Sequence, residues 1–248
     1  MKTSMYTAAG TLNQIQRNID TISHNVANLN TIGYKRREAT FQELLVQQLN
    51  NQPRAAEEIG RITPNGVRVG SGAKIGQTTL HMGQGSMQTT GRELDFMLEG
   101  ENMFFRVLKT WENPETGEQE SEILYTRNGN FQLKVDPQNP DQLSLVTAQG
   151  YAVLDGFMNR ENPLPIEFDQ EYSRIEVDER GVMRVYFDNG DFLDYALPVT
   201  QISRTDLLEA RGESMFAVPD AVLANLAAYG ALWNDLDPED LDQNNPAY

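Results

Sequence analysis

Over the first thirty residues the apolar positions fall at Met5, Ala8, Leu12, Ile15, Ile19, Ile22, Val26 and Leu29, in alternating steps of three and four. This 3.5-residue period, kept for about four heptads, belongs to a helix whose apolar stripe stays on one side along its whole length. The flanking positions, which in such helices usually carry Glu and Lys, are Thr11, Asn18 and Asn25 on one side and Ala9, Gln16, Ser23 and Asn30 on the other. Between Thr3 and Asn30 only Arg17 and Asp20 are charged, so the segment can be contacted from more than one side without burying an unpaired ion. At 1.5 Å per residue it would run ~40 Å, longer than one face of a small domain. The pattern predicts a helix made to pack among other helices, capped by Thr3 or Ser4 and stopped at Gly33. The alternative, an amphipathic helix lying on its own domain, would show a 3.6-residue period.

After Gly33 a second helical spacing, Phe41, Leu44, Leu45, Gln48 and Leu49, predicts a helix to about Gln52. Residues 53–66 read as a charged connection with the turn signal Pro64-Asn65-Gly66. From Val67 the texture changes to short alternating runs (Val67 to Val69, Ala73 to Leu80, Ser86 to Thr89) punctuated by glycines at 66, 70, 72, 76, 83 and 85, which suits an extended ribbon. Strands are expected at Leu94–Leu98, Met103–Leu108, Ile123–Tyr125, Phe131–Val135, Leu143–Val146, Tyr151–Leu154, Arg174–Val177, Val182–Phe187 and Phe192–Leu197. Turn residues lie between them at Asn128-Gly129, Asp136-Pro137, Asn139-Pro140, Glu179-Arg180-Gly181 and Asp188-Asn189-Gly190. Short strands at this spacing without intervening helices indicate an all-β barrel or sandwich. After Pro198 the chain reads as extended through Met215-Phe216-Ala217-Val218, then as a short helix from Ala221 to Leu232 and an acidic tail. The expected organisation is a helical segment over 1–52, a linker and ribbon over 53–93, a central β domain over 94–200 and a return segment over 201–248. The fold class is mainly β with an N-terminal helix.

Composition narrows the chemistry. There is no cysteine, which removes disulfides and thiolate sites, and only two histidines, His24 and His81. His24 sits opposite the apolar stripe and reads as an exposed helix residue. No stretch approaches the ~20 apolar residues of a membrane span, and the N-terminus has no apolar h-region, so neither membrane insertion nor a conventional secretory signal is expected. Residues 1–80 carry nine Lys or Arg against five Asp or Glu, whereas residues 81–248 carry eleven against thirty-one, for a net charge of −16. An acidic body of this kind repels nucleic acid and anionic membranes. Gly72-Ala73-Lys74-Ile75 lacks the ending of a phosphate loop. Asp188, Asp191 and Asp194 could supply a glycosidase pair but read as a solvated face, and Asp235 to Asp242 resembles a calcium loop only in acidity. No nucleophile–base pair is recognisable, and no catalytic residue, cofactor, metal or small-molecule substrate is expected.

Several stretches together resemble the flagellar axial proteins, the basal-body rod and hook family. Ser23 to Lys35 is similar to that family's N-terminal signature, Asn-x-x-Asn-x-x-Thr-x-Gly-Tyr/Phe-Lys, carried here by Asn25, Asn28, Thr31, Gly33, Tyr34 and Lys35. Gly85 to Phe105 resembles the passage from the ribbon into the central β domain, and Tyr125 to Phe131 with Leu145 to Tyr151 is a third match. The likeness covers residues 1–155 well and is thinner beyond. Arg211-Gly212-Glu213-Ser214-Met215-Phe216 keeps only the outline of the family's Gly-x-Asn-x-Phe element, and the long C-terminal heptad helix of the family has no counterpart up to Tyr248. The resemblance implies a structural, non-enzymatic rod subunit, most like the distal rod members. It would stack helically with copies of itself and neighbouring rod and hook proteins and be exported by the flagellar type III apparatus to the cell envelope. Met5, Leu12, Ile15, Ile19, Ile22, Val26 and Leu29 would then be assembly contacts, with Asn25, Asn28, Gly33 and Tyr34 shaping the helix exit. A hook or proximal-rod subunit is the near alternative, and a secreted β-domain binding module or carbohydrate-active enzyme the distant one.

Overall fold

The computed structural model describes residues 2–49, 67–114, 117–135, 139–157, 163–178, 180–225 and 232–235. The chain forms two compact units, one of residues 1–30 and 36–81, the other of Thr31–Lys35 with everything from Met82 onward.

The first unit consists of helix α1 (Lys2–Ala27) and a two-stranded antiparallel ribbon. In the ribbon β1 (Arg37–Glu43) pairs with β4 (Ala73–Leu80), and β2 (Val46–Leu49) with β3 (Val67–Gly70). A Leu44 N–H to Gly72 carbonyl bond of 2.9 Å links the two ladders. Residues 41–43 and 46–49, expected to be helical, are therefore strand, and 50–52 lie outside the described residues. The short run of apolar positions over 41–49 fits either period, and the glycine-rich stretch beginning at Val67 supplies a ladder of main-chain partners that a helix there would leave unpaired. The register shifts between Thr40 and Phe41, a bulge that twists the ribbon. α1 begins at Lys2, so Thr3 and Ser4 lie inside the helix rather than at its cap. It ends at Ala27, six residues before Gly33, and Leu29 falls in the turn beyond.

Among the described residues the regular structure of the second unit is β apart from short helical turns. Its larger sheet contains β5 (Met103–Glu112), β6 (Gln119–Thr126), β7 (Phe131–Val135), β8 (Gln142–Thr147), β9 (Ala152–Val153) and β10 (Glu167–Asp169). The return segment completes it with β14 (Val199–Ile202), β15 (Glu209–Gly212), β16 (Met215–Ala217) and β17 (Trp233–Asp235). Strands β11 (Tyr172–Val177), β12 (Val182–Phe187) and β13 (Phe192–Ala196) make a separate three-stranded sheet. Apolar side chains of both sheets share one core, with Met183 and Val185 of β12 joining Val107, Leu145, Phe168 and Val199, all but Phe168 fully buried. The arrangement is sandwich-like, with no closed barrel.

Strand β5 is central. It pairs with β6 along its length, with β9 at Val107 and Leu108, and with β14 at Met103 to Phe105. Phe104 and Phe105 point to opposite faces, yet both are fully buried. Phe105 packs edge-on to Phe131 in the main core, while Phe104 meets Phe216 of β16 edge-on on the other side. The return segment thus covers the second face, which is why β5 is apolar in consecutive positions.

Several expected elements differ. Leu94–Leu98 is not a strand: only Asp95 bridges to Asn130, and Leu98 buries itself in the core. Ser86–Thr89 joins no ladder. The expected helix from Ala221 to Leu232 contains only α2 (Asp220–Leu223) among the described residues, and Trp233–Asp235 is strand. Pro64-Asn65-Gly66, Asp136-Pro137, Glu179 and the acidic tail after Asp235 lie outside the described residues. Among the described residues no helix is long and apolar enough to cross a membrane, and no group of three metal-ligating side chains comes together.

Candidate assembly interface

Helix α1 lies on its own ribbon with its polar side. Thr7, Thr11, Gln14, Asn18, Thr21, Asn25 and Asn28 are its half-covered positions, themselves spaced by three and four. Gln14 Oε1 accepts from the Ile75 N–H of β4 at 3.1 Å, and the Thr11 hydroxyl, bonded to the Thr7 carbonyl, lies against Gly72. A Cβ at Gly72 would come 3.2 Å from that hydroxyl oxygen, and its φ of +99° suits glycine alone. Polar side chains that satisfy main-chain groups of the ribbon are what a charge-free helix flank allows.

The apolar stripe is left outside. Leu12 is 65% exposed, Ile19 55%, Val26 67% and Leu29 80%, with Met5, Ile15 and Ile22 exposed as well. Seven apolar side chains in one unbroken line on the helix, with Leu29 just beyond its end, are far more than the scattered single residues of an ordinary surface. The line runs into an open groove of about 650 Å³ formed by Ala8, Leu12 and Ile15 with Glu43 and Gly70 of the ribbon.

The exit from the helix is built from the motif residues. Asn25 reaches the edge of β1 and pairs with Arg37 as another strand would: its Nδ2 donates to the Arg37 carbonyl at 2.7 Å and its Oδ1 accepts the Arg37 N–H at 3.0 Å. Asn28 Nδ2 donates to the His24 carbonyl at 2.9 Å, which also accepts the Asn28 N–H at 3.2 Å, so one residue ties down the last turn through both side chain and main chain. Thr31 to Tyr34 then form a turn, closed by the Tyr34 N–H on the Thr31 carbonyl. Gly33 has φ +72°, and a Cβ there would approach the Asn128 nitrogen to 2.7 Å. Glycine is needed at 33 for this turn and its close approach to the β unit, not to stop the helix. Lys35 Nζ donates to the Gly83 carbonyl at 2.8 Å.

Beside it, the guanidinium of Arg127 bonds the Gly100 carbonyl and Gln84 Oε1 through Nη2. Burial, together with the charge of Arg127, holds the Lys35 ammonium at about 8, below its ordinary 10.5, against a smaller opposing effect from Glu101.

The remaining candidates are accounted for by local pairing. His24 is exposed beside Asn28, and His81 Nε2 meets Glu38 Oε2 at 2.6 Å. Asp194 receives Nε and Nη2 of Arg184 at 2.6 and 2.7 Å, which holds its carboxyl below the usual range. A carboxyl kept ionised in this way is a poor proton donor. Of the polar stripe, sequence singles out Thr11, Asn18, Asn25 and Asn28 but not Thr7, Gln14 or Thr21, and it does not single out the Arg127 site. The stripe as one face has the same heptad spacing as the apolar line and is legible in it.

Comparison with known proteins bears on this arrangement. Residues 5–35 match the family described as flagella basal body rod protein, and residues 101–185 match the D1 domain of the flagellar hook protein FlgE/F/G family. The chain is similar to a flagellar hook-basal body complex protein, FlhP, of Bacillus subtilis, at 34% identity over 89% of this chain and 77% of that one. It is also similar to the flagellar basal-body rod protein FlgG of Caulobacter vibrioides, at 31% identity over 92% of this chain and 76% of the relative. The flagellar hook protein FlgE of Treponema pallidum is 35% identical over 53% of this chain and 26% of its own length. With a helix that turns its apolar line outward, an exit built from the signature residues and two relatives matched over three quarters of their length, the chain belongs to the flagellar basal-body rod and hook protein family.

Proposed function

We propose that this chain is a structural subunit of the flagellar rod, and that α1 is its assembly element. The observation that carries the reading is the orientation of α1: its polar side is bonded to its own ribbon and its apolar line is left mostly exposed. Met5, Leu12, Ile15, Ile19, Ile22, Val26 and Leu29 are the proposed contacts to copies of the chain and to neighbouring axial proteins. Fully burying such side chains contributes about 1.5–3 kcal/mol each for the larger ones, a driving force for association of a helix already formed on its own ribbon. Asn25, Asn28, Thr31, Gly33, Tyr34 and Lys35 shape the helix exit. Export by the flagellar type III apparatus would deliver the subunit to the cell envelope. The subunit performs no catalysis in this reading. A hook subunit is the second reading, favoured by the match of residues 101–185 to the hook-containing D1 family.

The test is to purify hook–basal bodies from cells carrying a tagged copy and from cells carrying the tagged Ile19→Asp form. The native form should co-purify with the rod fraction and the variant should be absent from it, with the β unit still folded by circular dichroism. Recovery with the hook alone selects the second reading. Absence of the native form from both overturns the axial role.

A further inference from the structure

Lys35 and Arg127 place two cations at one spot of a domain that is otherwise strongly acidic. Arg127 is 8% exposed, and its Nη2 is committed to the Gly100 carbonyl and Gln84 Oε1. Its Nη1 is buried and meets no hydrogen-bond partner among the described residues. Gln84, which fixes the guanidinium, is itself held by the Leu98 carbonyl at 2.9 Å. Next to Gln84 in the chain, the Gly83 carbonyl takes one of the three N–H donors of Lys35, a half-covered side chain. The charged groups acting on this pair are each other and Glu101, which precedes β5 and forms no ion pair with either among the described residues.

Two cations set against one carboxylate, with a guanidinium fork not used up by the fold, are short of one negative group. Such buried donors left unpaired carry a cost that an anion removes.

We propose that Lys35, backed by Arg127, is a recognition point for a carboxylate, supplied in the assembled structure by an acidic side chain of a second copy of this chain. The second copy as source rests on the assembly reading above. The carboxylate chemistry does not. A chain with thirty-six Asp and Glu, thirty-one of them after residue 80, presents carboxylates over most of the surface a neighbour would offer. Lys35 is the contact and Arg127 a positioning charge beneath it. Bringing a carboxylate to the site restores the ammonium towards its ordinary titration, so binding weakens as pH rises above about 8.

Two measurements on the full chain test this. In the first, Lys35 is followed by NMR in the reductively ¹³C-methylated protein while acetate is added. Its titration should move upward in the native protein, less in Arg127→Gln, and the other lysines should stay put. A response shared by all lysines, or unchanged in Arg127→Gln, overturns the site. In the second, unlabelled and ¹⁵N-labelled copies are mixed and treated with a carbodiimide, and amides at Lys35 are read by mass spectrometry. Mixed-isotope amides from Lys35 to Asp or Glu, falling about tenfold between low and high salt, support the second copy as source. An acetate response with Lys35 linked only to Glu101 of its own chain keeps the carboxylate site and removes the second copy. No response and no link, while Ile19→Asp still abolishes co-purification, overturns this site and leaves the assembly reading standing.

Discussion

Replacing Asn25 by Ala tests the helix exit at its narrowest point. The carboxamide makes two main-chain bonds to one residue, 2.7 Å to the Arg37 carbonyl and 3.0 Å from the Arg37 N–H, in a half-covered position. Each such bond is worth about 0.5–1.5 kcal/mol net, and water can take over part of the lost role at a position this open. The expected loss is about 1–3 kcal/mol, confined to the junction of α1 with β1. Since about 1.4 kcal/mol corresponds to tenfold, amide exchange of Arg37 should speed up roughly five- to hundredfold. The assay is hydrogen exchange read by NMR at Arg37, with Leu124 in the core of the β unit as an internal reference that should not change. Asn25→Asp separates the two bonds: it keeps the acceptor for the Arg37 N–H and loses the donor, so the Arg37 amide should remain slower than in the Ala variant. If Arg37 exchanges at the native rate in Asn25→Ala, the clamp is not what holds the exit. If the Asp form exchanges as fast as the Ala form, the N–H bond does not contribute as described.

Other expectations follow from the same geometry. A Cβ at Gly129 would sit 2.0 Å from the Phe96 carbonyl oxygen and 3.0 Å from the Phe105 ring, so Gly129→Ala should cost about 3 kcal/mol or more and lower the melting temperature of the β unit. Glu213 and Ser214 between β15 and β16 both have positive φ, 52° and 61°. The double change Glu213→Asn with Ser214→Gly should therefore stabilise by about 1 kcal/mol, read as a raised urea midpoint at constant slope. Lys35 has its folded titration lowered to about 8 against an ordinary 10.5. Between these values the unfolded chain binds more protons, so stability contributed at this site rises with pH across that window. Lys35→Met should flatten this rise in urea titrations at pH 7.5 and 10.

Much of the β unit was legible because its strands are short, bounded by turn residues and alternate in hydrophobicity: β7, β11, β12 and β13 lie within two residues of where the pattern puts them. The ribbon was half legible. Its second strand carries glycine punctuation, but its first, residues 37–49, has apolar positions compatible with a helix, and nothing local announces the ladder that Ala73 to Leu80 would provide. Leu94–Leu98 was misjudged for the opposite reason. It has strand composition, yet its main chain is used in single bonds to residues around Gly129 rather than in a ladder.

The sequence alone determined that an apolar line of 3.5-residue period would run along the first helix, that no charge would flank it, and that a glycine with positive φ would follow at 33. These are consequences of local spacing and of backbone sterics, which need no neighbour. Tertiary structure alone decided which side of that helix meets its own ribbon, because Gln14 and Asn25 find main-chain partners on Ile75 and Arg37, sixty-one and twelve residues away. It also decided that the return segment would close the second face of β5, through Phe216 packed edge-on against Phe104. Hydrogen-bond ladders and shared cores join residues distant along the chain, and the period of a short segment does not record what will lie beside it.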